Sequence, residues 1–168
     1  MKNLIILLFL AIAIPSFGQS DAVKNFYAKY KNTENIVNVN IQGWILKMVA
    51  TFSDEDDMPK DLIRKISHLR VLVFEDGNPI SKKEYKDLLS DVKNDKFETL
   101  LTVRDGKDNV HLLVREEREI ITDAIVLVRS DNEFVLVSLE GAFSLNDLKN
   151  LDLDIEGTDH FEKIKGEL

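Results

Sequence analysis

The densest chemistry-bearing run in this chain is Asp54–Glu55–Asp56–Asp57, four carboxylates in succession. Clustered carboxylate oxygens suit a hard cation, and weak calcium sites in exported domains work at millimolar calcium. A calcium loop spaces its ligands around a central glycine and ends on a distal glutamate, and this run has neither. Pro59 follows closely, ahead of Leu62, Ile63 and Ile66 on one helical face. Acids before a proline are what a helix start prefers, because unpaired amide donors and the helix dipole attract negative charge. The helix start is the better reading, and no metal ligand is assigned.

The remaining candidates are dispersed. His68, His111 and His160 lie far apart and share no His-x-x-x-His spacing, so each reads as an ordinary strand or surface residue. Ser138 stands before Leu139–Glu140–Gly141, which is not a nucleophile elbow. Seven glycines are scattered with no phosphate-cradling loop among them. With no cysteine there is no thiol nucleophile, thiolate metal site or disulfide. Arg70, Arg104 and Arg115, near Glu75, Glu116 and Glu117, suit an anion patch or, better, cross-strand ion pairs. The 30 Asp and Glu residues leave a carboxylate-dependent hydrolase as the alternative to a binding role. The residues themselves assign no catalytic group and no cofactor.

The elements that would position these residues form an α+β fold. Residues 21–30 place Val23, Phe26, Tyr27 and Tyr30 along one side of a helix. Residues 36–41 alternate as a short strand, and Trp44, Ile45, Met48, Val49 and Phe52 recur at helical spacing over 43–52. A strand over 69–75 precedes a turn at 76–79. Ser81 and Glu84 then form a capping box at the head of a helix to about Lys93. From Phe97 the period becomes extended: strands near 97–104, 109–116, 120–129 and 133–140 are joined by links too short for anything but antiparallel hairpins. Ser144 starts a short helix, and an extended piece falls near Ile155. The expected architecture is a mixed, largely antiparallel sheet of about five strands with helices packed on it. If the strands at 69–75 and 97–104 run parallel in one sheet, their crossover is right-handed.

Two runs, Ala124–Ile125–Val126–Leu127–Val128 and Phe134–Val135–Leu136–Val137, are continuously apolar. A one-sided antiparallel sheet alternates instead, so both faces are covered there. The preferred expectation is that the chain covers both itself. Otherwise this sheet face is the binding site, for self-association or an envelope protein.

The chain begins with Met1–Lys2–Asn3, eleven apolar residues to Ile14, and then Pro15–Ser16–Phe17–Gly18. A basic start, a short apolar core and small residues at the end form an export signal, too short to be a comfortable membrane span. Cleavage is expected after Gly18, with Gln19 as the alternative, leaving residues 19–168 as one domain and no stable membrane insertion. The sequence has no lipoprotein cysteine. The net charge of −8 argues against nucleic acid and anionic lipid as partners.

Four stretches, 66–75, 101–106, 113–116 and 134–141, carry a resemblance. Their most specific parts are Val103–Arg104–Asp105–Gly106 and the strand end from Phe134 to Gly141. The chain resembles the domain of unknown function 4252 family of exported Gram-negative proteins over roughly residues 20–157. Many members resemble lipoproteins, and this chain departs from them by lacking the cysteine. The resemblance implies a periplasmic or extracellular protein, linked to extracytoplasmic sigma factors or envelope stress. It brings no catalytic residue, ligand or cofactor.

Overall fold

The computed structural model describes residues 20–52, 60–74 and 77–149. In chain order the elements are α1 (Asp21–Tyr30), β1 (Val37–Gln42), α2 (Gly43–Phe52), α3 (Lys60–Lys65), β2 (Ile66–Phe74), α4 (Lys82–Asn94), β3 (Glu98–Asp105), β4 (Asp108–Glu117), β5 (Ile120–Arg129), β6 (Phe134–Phe143) and α5 (Leu145–Lys149). The six strands form one sheet in the order β1–β2–β6–β5–β4–β3, and every neighbouring pair is antiparallel. The expected five-stranded sheet gains β1 as an edge. β2 and β3 do run the same way, but three strands separate them.

The register explains the continuously apolar strands. On one face a row of valines crosses all six strands: Val37, Val73, Val135, Val128, Val110 and Val103. The next row is Val39, Val71, Val137, Val126, Leu112 and Leu101. Leu46 of α2, Leu62 of α3 and Leu148 of α5 join the cluster on this face. The opposite face is aromatic. Tyr27 and Tyr30 of α1 and Tyr85, Leu88 and Val92 of α4 close over Phe74, Phe134, Ile125 and Leu127. Residues 124–128 and 134–137 are therefore buried within the single chain, alternating between the two faces.

Local chemistry sets the helix ends. Ser81 accepts from the Glu84 amide while the Glu84 carboxylate accepts from the Ser81 amide, completing the expected capping box. Glu84 also accepts from Lys29 and Tyr30 at 2.6 and 2.7 Å, tying α1 to α4. These donors hold its carboxyl down to about 2. At the other end of α1, Ser20 accepts from the Val23 amide and donates to Asp95. One boundary differs from expectation. The helix ends at Lys65, and Ile66, expected on its apolar face, opens the strand instead. A β-branched residue suits either element, and here pairing with Gly141 of β6 decides it. The expected extended piece near Ile155, the run 54–57 and His160 lie outside the described residues.

Candidate functional site

Two surfaces stand out. The first is an ionic row on the aromatic face, where Gln42, His68, Glu140, Asp123 and Arg115 are register neighbours across five strands. Four register shifts surround it, on β2, β3, β4 and β5. Bulges of this kind re-aim side chains at a sheet's end.

The arginines and the histidine here are matched to acceptors. Arg70 donates through Nη1 to Glu140 at 2.7 Å and through Nη2 to His68 Nδ1 at 2.9 Å. A guanidinium only donates, so Nδ1 carries a lone pair, and Nε2 donates to Asn40 Oδ1 at 2.5 Å. His68 is thus fixed in one neutral tautomer. Asp123, buried, accepts from Arg115 Nε and Nη2 at 2.9 and 2.7 Å and from Thr122 at 2.7 Å. Burial pushes Glu140 upward, partly offset by Arg70. Burial, then the charge of Arg70, pushes His68 downward.

The row holds His68 and Arg115, and the register row beside it holds Arg70 and Ser138, all residues that the sequence left scattered. Ser138 is buried opposite Arg70 and makes no hydrogen bond to His68 among the described contacts. Arg70 and Arg115 form cross-strand ion pairs as expected, but with other partners: Glu140, seventy residues from Arg70, and Asp123, on the next strand of the hairpin that holds Arg115. His111 and Arg104 lie elsewhere. His111 packs beneath Tyr85 and bonds Thr102 at 3.1 Å. Asp123 and Glu140 are neighbouring carboxylates, but each is held by its own arginine, and neither lines a cavity of about 390 Å³ that lies at the opposite end of the sheet. Among the described residues no group of three His, Cys, Asp or Glu could hold a metal ion. The arrangement pins strands together.

The histidines predict an acid response. Burial is the first cause of the downward shift at both, and neighbouring cations add to it, Arg70 at His68 and Arg104 and Lys93 at His111. Above the ordinary value of 6.5 their contribution to stability is present in full. Below it the unfolded chain takes up protons that the fold refuses, and stability falls. Glu140 has the opposite sign: its raised carboxyl favours the fold at acid pH and loses that contribution as pH rises. Melting temperature is expected to fall between pH 7.5 and 5.5, and the His68→Gln, His111→Gln double variant to flatten that fall. An equal slope in both proteins would show that the histidines do not cause it.

The second surface is α2. Its sequence periodicity is helical, but the apolar stripe read from it faces outward. Trp44 is 66% exposed, Met48 48% and Phe52 79%, at successive four-residue steps, with Val49 beside them. The packed side consists of Gly43, Leu46 and Ala50. A β-carbon on Gly43 would lie 2.4 Å from the Ile66 carbonyl oxygen. Small residues thus bring the helix axis onto β2 and turn the large ones away. Spacing alone locates such a stripe but does not say which side is packed; the small residues at 43 and 50 were the available signal.

An antiparallel six-stranded sheet with helices on both faces, pinned by ion pairs and carrying one exposed apolar helix, defines a small α+β domain. The chain belongs to the family described as a domain of unknown function (DUF4252), whose family model matches residues 30–151. No curated protein and no solved structure matches it. No helix of the described residues is long and apolar enough to cross a membrane.

Proposed function

We propose that this protein is a non-catalytic interaction module of the Gram-negative envelope that meets a protein partner through α2. The observation carrying this reading is the Trp44–Met48–Phe52 stripe, large apolar side chains left outside both closed core clusters. Aromatic anchors of this kind dominate interface energetics. The export signal read at residues 1–18 supports the location, and the family resemblance supports a role in envelope-stress or extracytoplasmic sigma-factor regulation. An envelope protein with an apolar groove is the fitting partner, in the manner of a helix laid into a groove.

Trp44 is the sole tryptophan, so its fluorescence reports on this stripe alone. The purified protein is expected to capture a partner from envelope extract, and that partner to shift Trp44 emission to the blue. The Trp44→Ser, Phe52→Ser variant should keep its melting temperature and lose at least about 2 kcal/mol of binding, roughly thirtyfold. Equal capture by both proteins would count against the stripe.

A further inference from the structure

We propose that β1 is a self-pairing edge, through which two copies of this chain join into one continuous twelve-stranded antiparallel sheet. β1 ends the sheet, and its six residues, Val37–Asn38–Val39–Asn40–Ile41–Gln42, carry no charge and no proline in a chain of net charge −8. Its pairing with β2 is unbroken from end to end. Sheet edges are ordinarily blunted by charge, proline or a bulge. The other edge shows this protection. β3 includes Glu98, Arg104 and Asp105, and its register shifts between Thr99 and Leu101.

The alternation of β1 selects its occupant. Val37, Val39 and Ile41 lie on the valine face, while Asn38, Asn40 and Gln42 lie on the ionic side. An added strand must set apolar residues beside the first group and uncharged polar residues beside the second. A second β1, turned about a two-fold axis normal to the sheet, does this. Pairing about Val39 sets Val37 against Ile41 and Asn38 against Asn40, so the aliphatic rows run on into the second copy. A two-fold contact of this kind is isologous and closes at the dimer. Val37 is 45% exposed where its row stops, and every residue of β1 is partly or fully accessible. Among the described residues, one hydrogen bond reaches the β1 main chain from outside the ladder, from Tyr27 Oη to the Val39 carbonyl at 3.4 Å. This inference rests on the strand edge and is independent of the α2 stripe.

Light scattering behind size-exclusion chromatography should give a dimer mass for the purified protein at tens of micromolar. The Val37→Lys, Gln42→Lys variant, charging both ends of the edge, should be a monomer with an unchanged circular dichroism spectrum. Because the chain has no cysteine, a single-cysteine scan over Val37–Gln42 gives a second readout free of background. Mild oxidation should link copies at one or two adjacent positions, where matched residues face each other across the axis, and Leu100→Cys on β3 should not link. A monomeric parent protein, a dimer indifferent to the edge lysines, or equal linking at Leu100 would each overturn the proposal. So would a monomer that takes up an extended peptide of another protein along β1.

Discussion

Phe134→Ala is expected to destabilise the fold by about 3–5 kcal/mol, the range for emptying a buried aromatic site. Phe134 is fully buried at the start of β6, on the aromatic face. Its ring centroid lies 5.4 Å from Phe26 of α1, 6.3 Å from Phe74 of β2 and 6.4 Å from Tyr85 of α4. One side chain therefore joins both covering helices to the sheet's centre. The cavity left by alanine is walled by other rings and by strands that cannot collapse without giving up register. At roughly 2–4 °C per kcal/mol for a chain of this size, the melting temperature should fall by roughly 10 °C or more. Calorimetry of the variant reads this directly, and a fall of only one or two degrees would mean that the four rings do not act as one core.

The second large effect is expected at Gly43. Its φ is unremarkable; space is what excludes a side chain. An added β-carbon would meet the Ile66 oxygen at 2.4 Å and the Ser67 Cα and oxygen at 2.8 Å, all main chain and none able to swing aside. Gly43→Ala must lever α2 away from β2, and overpacking against backbone is expected to cost about 3 kcal/mol, at the upper end of the usual range. Since α2 carries Trp44, the displacement has its own signal: a changed emission spectrum alongside the lowered melting temperature. A variant that melts and fluoresces like the parent protein would show that the helix is not seated on β2 as described.

Much of the fold was legible because its signals are local. The capping box at Ser81 and Glu84, the helices at Asp21–Tyr30 and Gly43–Phe52 and the strand Ile120–Arg129 fall where periodicity and turn chemistry place them. The Asp105–Gly106 turn has its glycine at positive φ, as such a turn requires. The link at Arg118–Glu119 was found from length alone. Both residues take positive φ, a conformation that their side chains disfavour and that no dipeptide signature announces. The candidate site was much less legible. Arg70 finds Glu140 through a pairing that depends on strand order, and strand order is not periodic; Arg115 meets Asp123 within one hairpin, but across a register shift that the turn length does not announce. The covering of residues 124–128 on both faces followed from their composition. The outward turn of Trp44 did not, since it depends on where two small residues meet a neighbouring strand.

The strand order also has a consequence in time. β3 to β6 follow one another as hairpins and can pair as soon as each turn is made, whereas β2 must wait for β6, its partner from the far end of the described chain. Long-range pairing of this kind is the slow step in assembling a sheet. The late-docking unit is the segment from β1 to β2, which also holds the uncharged edge and the exposed helix. A partner bound there adds its own binding free energy to the folded state, so recognition also stabilises the segment that joins the sheet by its longest-range pairing.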